Sequence, residues 1–576
     1  MIPEKRWRLV SPDTEAAHTL ARKLGISPIA GRVLLNRGIA DVNDARAFLN
    51  PELHHLHDPS ALPALDAAAQ RIRHAIRDDE PMVIYGDYDV DGVSATAILL
   101  RCIALAGGKA TYYIPDRVEE GYGLNADAVR ALAENGARLI ITVDCGITAV
   151  AEIALARELG MDVIVTDHHL PDDEIPADAI LVNPKLPGCP YPFHDLSGSG
   201  LAFKLAWAVG KAFSETTRVS SAFRDFLVDA VSLAALGTIA DVVPLHGENR
   251  ALAYFGLKGL SASEAHGMRA LREVSRLTDH DLTATDIAFR LAPRLNAAGR
   301  MGSARHAVEL LVTDNPDRAA DIAEHLGKEN SRRQRLQERI LSEAYEQLSS
   351  RGGLDHTWSI VLASESWHAG VLGIVASRLT EEFRRPAILL TLDGDTAHGS
   401  ARAMAPLNLF NLLRNCSGHL VGYGGHAFAA GLRLEARNLD AFRADFETQS
   451  AQCLESADLT PEIAIDAEVT LDNISRRLVD DLSRLAPFGE GNAEPVIVCR
   501  NVTLPSGVRR MGTGGKHLSF WAKQNGAAFR AVAFGMGDCA EAIERRGACS
   551  IAFVPRLNRW RGQETVELDV RDIQLS

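Results

Sequence analysis

The chain has 576 residues, of which 46% are hydrophobic and 24% charged, so a wholly disordered, collagen-like or disulfide-stapled molecule is excluded. At roughly 150 residues per domain, three to four domains are expected rather than one core. The formal net charge of -14, from 61 Lys and Arg against 75 Asp and Glu, means that a polyanionic partner has to be held in local basic grooves and not by global attraction.

The opening MIPEKRWRLV lacks the apolar stretch of a signal peptide, and the most apolar later run, Val228 to Leu245, is broken by Asp229 and Asp241. A cytoplasmic protein with no membrane role is expected. The eight Cys are scattered without a CxxC pair and read as reduced thiols. Residues 1–60 read as a small helical, loop-rich preface. From residue 82 the runs MVIYG, ATYYIP, RLIITVD, DVIVTD and AILVNP alternate with helix-length segments such as GVSATAILLRCIALAG and NADAVRALAENG. That alternation predicts an α/β domain, 61–300, with a doubly wound parallel sheet, and FLVDAVSLAALGTIAD reads as a further helix of it. Residues 301–350 read as a helical connector, since Pro316 to Ser350 is charged and nearly free of Gly and Pro. A second α/β domain, 351–456, starts with IVLA and AILLTL and turns Gly-rich. The segment 457–576 has short alternating strands (VIVCR, HLSFWA, RAVAFG, CSIAFVPRL, ETVELDV) at the spacing of a small β-barrel.

The chemistry concentrates at the ends of the first strands. GDYDVDG sets Asp87, Asp89 and Asp91 two residues apart, a spacing that in extended chain points all three the same way. Carboxylates so crowded repel unless cations neutralise them, which predicts a hard divalent metal. The next strands deliver Asp144 and then Asp167, His168 and His169, and Asp241 follows a helix. In open parallel sheets, sites lie outside the carboxyl ends of strands, so these groups are expected to converge. Mixed carboxylate and imidazole ligands suit Mn²⁺ or Mg²⁺, with room for two ions. Against this, a single Asp at a strand end is more often a helix N-cap, which is the reading adopted for Asp162 and Asp178.

GDYDVDG, TVDCG, TDHH and TIADVVPL resemble successive motifs of the DHH phosphoesterase superfamily. With YIPDRVEEGYG, RLNAAGRMG, SWHAGVLGIVASRL, GSAR, GGHAFAAG and APFGEGNAEP in order, nearly the whole chain is similar to the RecJ family of single-strand-specific 5′ to 3′ DNA exonucleases. The resemblance implies a DHH catalytic domain, a DHHA1 substrate-binding domain and an OB-like nucleic-acid-binding barrel. It implies metal ligation by Asp89, Asp91, Asp144, His168 and Asp241, with Asp87 ranked below these, and places His169 beside the scissile phosphate. Many small-substrate relatives have His four residues before the first ligand Asp; here that position is Tyr85.

In the second domain, Ser400 and Arg402 of GSAR and His426 of GGHAFAAG are read as lying on Gly-rich turns suited to phosphate. With Arg117 and Arg300, the resemblance gathers them at the terminal 5′ phosphate. In the barrel, Phe520 and Trp521 alternate with Lys516 and Lys523 near Arg509, Arg510, Arg530, Arg556, Arg559, Trp560 and Arg561. Aromatics among basic residues suit stacked single-stranded bases, and one of Phe520 and Trp521, not both, is expected to face outward. On the connector, Arg332, Arg333, Arg335 and Arg339 either line a channel or form a solvated face paired with Glu329, Glu338 and Glu343.

The function implied is metal-dependent 5′ to 3′ degradation of single-stranded DNA to 5′-mononucleotides in repair and recombination. A single-strand-binding protein and a helicase are the implied protein partners, and a monomer is the default. Two competing readings are a phosphoesterase for short oligonucleotides, cyclic dinucleotides or polyphosphate, and an inactive scaffold. The additional barrel weighs against the first, and the complete set of carboxylates with His168 weighs against the second.

Overall fold

The computed structural model describes residues 5–10, 13–117, 120–214, 218–354, 357–455, 459–560 and 562–575, with the backbone alone of Trp560. Arg561 lies outside the described residues. The chain forms two units, one of residues 51–453 with 489–491, the other of residues 1–50, 454–488 and 492–576.

In the larger unit, all five apolar runs are strands: β1 (Met82–Gly86), β2 (Ala110–Tyr113), β3 (Leu139–Val143), β4 (Asp162–Thr166) and β5 (Ile180–Val182). They make one parallel sheet in the order β2-β1-β3-β4-β5. β1 and β3 are buried at every position, the pattern of strands covered on both faces. One face carries α1 (Val90–Leu105), α4 (Gly198–Ala212) and α5 (Ser221–Ala240), the other α2 (Ala126–Glu134) and α3 (Val150–Glu158). The chain leaves β1 for β2 on one side and returns to β3 on the other, so the strand order reverses at β1 and β3. The crevice beyond their carboxyl ends is where such sheets bind ligands.

α6 (Gly247–Ala262) carries Glu248 in its first turn, and this residue belongs to a buried polar group. Lys204 Nζ donates to Glu248 Oε1 at 2.5 Å and to the His57 carbonyl at 2.7 Å, and Tyr191 OH donates to Glu248 Oε2 at 2.5 Å. α7 (Ala292–Met301) leads to α8 (Pro316–Ser350), a 35-residue helix with Asn315 as its N-cap. Beyond it β6 (Ile360–Ser364), α9 (Ala369–Phe383), β7 (Ala387–Asp393), β8 (Thr396–Arg402), β9 (Leu420–Gly425) and β10 (Ala429–Glu435) form a second α/β layer, sheet order β9-β10-β8-β7-β6. Only β6 and β7 pair in parallel.

The smaller unit is a mixed barrel. β11 (Ile497–Thr503), β13 (His517–Gln524), β14 (Ala527–Ala533), β15 (Ala548–Trp560) and β16 (Gln563–Gln574) close a ring in the order β11-β15-β16-β14-β13 and back to β11, with β12 (Val508–Met511) added to β13. The helices Thr14–Leu24, Pro28–Asn36 and Val42–Leu49 share the barrel's apolar core. They are fixed by polar contacts: Arg37 Nη1 lies 2.9 Å from Asp466 Oδ1, and Ser27 N donates to Asp481 Oδ2 at 2.7 Å. No described helix is long and apolar enough to cross a membrane.

Candidate metal centre and arginine cluster

The acidic groups converge, by a route different from the one the spacing suggested. The stretch after β1 is not extended, because Asp89 is the N-cap of α1 and its Oδ1 accepts from Asp91 N at 2.9 Å and Gly92 N at 3.2 Å. Asp91 therefore sits in the first helical turn, and the three carboxylates do not share one face of a strand. Capping and convergence coexist: one Asp89 oxygen closes the helix, and its other oxygen is left for the cluster.

Asp91 is buried against the start of α4, where Gly198 N and Ser199 N donate to its two oxygens at 2.6 and 2.9 Å. A helix N-terminus favours a carboxylate there. Glycines make the approach possible: a Cβ on Gly237 of α5 would lie 2.3 Å from Asp91 Oδ1, and one on Gly198 would lie 2.6 Å from the Asp144 Cβ. Asp144 follows β3 with φ 64°, a left-handed backbone that Asp tolerates better than most residues. Its N donates to the Thr166 carbonyl at 2.9 Å.

His168 Nε2 lies 3.1 Å from Asp144 Oδ1, 3.5 Å from Asp241 Oδ2 and 3.9 Å from Asp91 Oδ2. Asp241 reaches the group from the C-cap of α5. Three sets have ligand atoms within 4.8 Å of one another: Asp87, Asp89 and Asp144; Asp91, His168 and Asp241; Asp144, His168 and His169. Both His168 nitrogens, Asp144 Oδ1 and Asp87 Oδ1 are buried without a hydrogen-bond partner. Buried polar atoms are otherwise nearly always partnered, so this donor set fits hard divalent ions. Asp144 and His168 are shared between neighbouring sets, as a pair of adjacent ions would require.

Asp167 is not one of the cluster's ligand groups. It accepts from Ile147 N at 2.9 Å and lies 2.7 Å from His169 Nδ1. Burial pushes its carboxyl up, but the hydrogen bond and charge of His169 outweigh that and hold it below the usual carboxylate range. Burial likewise lowers His169, and its bond to Asp167 more than offsets this, leaving the imidazole raised. Tyr122 OH lies 3.1 Å from both His169 Nδ1 and the Asp144 carbonyl. Neither role was visible from the sequence, although carboxylate, histidine and strand end stood side by side in TDHH. Tyr85 is in none of these sets: its OH donates to the Gly123 carbonyl at 3.0 Å and its ring stacks on Tyr113.

Burial, and then the neighbouring carboxylates, raise Asp87, Asp89 and Asp144, and push Asp241 up to about 9. Each such group stabilises the fold fully below its unfolded value and loses that contribution as pH rises through its folded value. The chelated protein is therefore expected to lose stability between pH 7 and pH 9, at up to about 1.4 kcal/mol per pH unit for each proton released. Thermal melts across that window check this, and saturating Mn²⁺ should flatten the slope.

A second cluster is cationic. Arg117 lies over the Tyr88 ring at 4.7 Å, Arg300 of α7 donates to the Gly370 carbonyl at 3.3 Å, and Arg402 Nη1 donates to Ser400 Oγ at 3.0 Å. GSAR is the end of strand β8 and not a turn, so Ser400 and Arg402 lie two apart on one strand face. α9 crosses close above them: a Cβ on Gly373 would meet Arg402 Nη2 at 2.7 Å and Ser400 Oγ at 2.9 Å. No described ion pair involves Arg117, Arg300 or Arg402. Burial lowers Arg300 to about 9, with repulsion from Arg117 and Arg402 contributing. His426 does lie in a turn, between β9 and β10, and its backbone N donates to the Ala429 carbonyl at 2.8 Å, but its ring is exposed.

On the barrel, Phe520 is 2% exposed and Trp521 49%, as alternation on one strand requires. Trp521 pairs across with Arg530, which lies 3.2 Å from Glu567. Arg510, Arg556 and Arg559 also meet carboxylates, whereas Lys516, Lys523 and Arg509 are exposed and in no described ion pair.

Three family models match in order: the DHH family N-terminal domain over residues 81–237, the DHHA1 domain over 357–451 and the RecJ OB domain over 465–572. The chain is 37% identical to the single-stranded-DNA-specific exonuclease RecJ of Bacillus subtilis, an alignment covering 100% of this chain and 72% of the relative. The chain belongs to the RecJ family. It is also 35% identical to the RecJ exonuclease of Thermus thermophilus over 99% of this chain and 78% of that protein. The crystal structure of the Thermus RecJ with Mn²⁺ superposes with a TM-score of 0.84 at 33% identity, covering 99% of this chain and 80% of that one. Its Mg²⁺ complex superposes at 0.77 and 31%, covering 99% and 78%.

Proposed function

We propose that this RecJ-family chain is a metal-dependent exonuclease that degrades single-stranded DNA from 5′ to 3′ and releases 5′-mononucleotides, acting in DNA repair and recombination in the cytoplasm. The observation that carries this reading is the buried, unpartnered set of Asp87, Asp144 and His168 atoms, with Arg117 near enough to act on Asp87 and, like Arg300 and Arg402, in no described ion pair. Asp89, Asp91, Asp144, His168 and Asp241 hold two Mn²⁺ or Mg²⁺ ions, with Asp87 a further oxygen donor. Bound there, the ions lower the pKa of the attacking water and neutralise charge on the phosphoryl oxygens.

The chain's own groups do the rest. Asp167 commits His169 Nδ1 and favours the protonated ring, which leaves Nε2–H to face an oxygen of the scissile phosphate. The α4 N-terminus fixes Asp91 before substrate arrives. Arg117, Arg300, Ser400, Arg402 and His426 hold the terminal 5′ phosphate, so the strand is placed by its end and the first phosphodiester lies at the metals. Trp521, Lys523 and Arg509 offer a stacking and phosphate-binding face for the strand. A single-strand-binding protein and a helicase are the protein partners this reading implies, with the chain itself a monomer.

Product analysis on a long, end-labelled single strand tests the proposal. 5′-Mononucleotides should appear progressively from the 5′ end with Mn²⁺ or Mg²⁺, none with chelator, and duplex DNA should be spared. Internal cuts, or digestion from the 3′ end, would refute it.

A further inference from the structure

Two of the carboxylates at the metal centre depend on helix ends that a chain of buried hydroxyls joins. Asp91 is gripped by the first turn of α4, through Gly198 N and Ser199 N, and Asp241 is the C-cap of α5. Ser197, Ser199 and Thr238 lie between these two ends, each 0% exposed. Ser199 Oγ donates to the Ala234 carbonyl of α5 at 3.0 Å, and Gly200 N donates to Ser197 Oγ at 3.1 Å. Ser197 Oγ lies 3.1 Å from Ser199 Oγ and 2.9 Å from Thr238 Oγ1. A hydroxyl has one proton and two lone pairs, and that fixes the direction of every bond. The Ser199 proton is committed to Ala234, so Ser197 donates to Ser199. The Ser197 proton is then committed too, so Thr238 donates to Ser197. The chain leaves α5 at Thr238, crosses the N-terminus of α4 and returns to α5 one turn earlier, at Ala234.

Packing alone does not call for these hydroxyls. Leu201, Ala202, Ala235 and Leu236 beside them are buried and apolar, and a buried hydroxyl costs free energy unless its bonds are made. Gly237 lets the helices close on this spot, since a Cβ there would collide with Ser199 Oγ and Asp91 Oδ1. We propose that the clasp of Thr238, Ser197 and Ser199 is a positioning device for one metal site. It sets the place of Asp91 relative to Asp241, the two carboxylates that share a ligand set with His168, and does not act on the set of Asp87, Asp89 and Asp144. The inference rests on the reading of the cluster as a two-ion centre. Thr238 is three residues before Asp241, so its hydrogen bond holds the last turn of α5 against the turn of α4 that grips Asp91. Groups that orient ligands from one bond further out change metal affinity about tenfold to a hundredfold when removed.

Titration of the chelated protein with Mn²⁺, the free ion being read by electron paramagnetic resonance, tests this on wild type, Thr238→Val, Thr238→Ser and Ser199→Ala. Valine keeps the branching of threonine and lacks the donor. Wild type should take up two ions. Thr238→Val should bind one of them about tenfold to a hundredfold more weakly and the other as wild type does, and Thr238→Ser should match wild type. Ser199→Ala opens the chain at its other end and should repeat the single-site loss, so the result does not hang on one substitution. Two unchanged affinities in Thr238→Val, or two weakened alike as a general loosening of the fold would give, overturn the clasp, as would the same loss in Thr238→Ser. If wild type binds fewer than two ions, the two-ion reading fails and the inference falls with it.

Discussion

Asp144→Asn is expected to lower hydrolysis of single-stranded DNA by a factor of about 10³ to 10⁴ while leaving the fold intact. The factor corresponds to several kcal/mol of transition-state stabilisation by ions, at 1.36 kcal/mol per decade of rate. Asparagine keeps the shape of the side chain and tolerates the φ of 64° at this position, so backbone strain does not confound the result. Metal-free stability should not fall, because Asp144 is a buried carboxyl that its surroundings already hold well above its usual pKa. Kinetics on a labelled strand, with a thermal melt in chelator, check both parts. A variant within tenfold of wild-type rate would remove Asp144 from the machinery.

The second large effect concerns stability and lies away from the metals. Glu248→Ala should cost about 3–5 kcal/mol, because it leaves the Lys204 ammonium buried without its charge partner. It also strips Tyr191 OH and His57 N of their acceptor. Exchanging both charged partners for apolar residues, as in Lys204→Met with Glu248→Leu, should recover much of the loss, since a buried ion pair is worth little against a well-packed apolar pair. Urea titration of the chelated protein measures this. A loss below about 1 kcal/mol from the single change would show that the pair is relieved by solvent.

Features carried by local pattern were legible. The five strand runs of the first sheet, the 35-residue helix Pro316–Ser350 and the barrel strands all lie where apolar periodicity put them. The carboxylates could be named because each follows a strand or helix end. What failed was local geometry set by a competing interaction: Asp89 capping α1 turned the chain out of the extended form that equal spacing had suggested. GSAR reads as a turn from its glycine and serine, yet pairing with β7 and β10 makes it a strand. Contacts between distant segments left no trace in the pattern. The docking of residues 14–49 on the barrel depends on pairs such as Arg37 with Asp466, 429 positions apart.

The central claim, that these acidic and imidazole groups hold ions that break phosphodiesters, is tested most directly by counting Mn²⁺ bound to the chelated protein by electron paramagnetic resonance as activity on single-stranded DNA returns. Activity should rise with the filling of sites that include His168, up to two ions per chain, and His168→Ala should lose both binding and turnover. Full turnover with no bound divalent ion, or unchanged binding in that variant, would contradict the account.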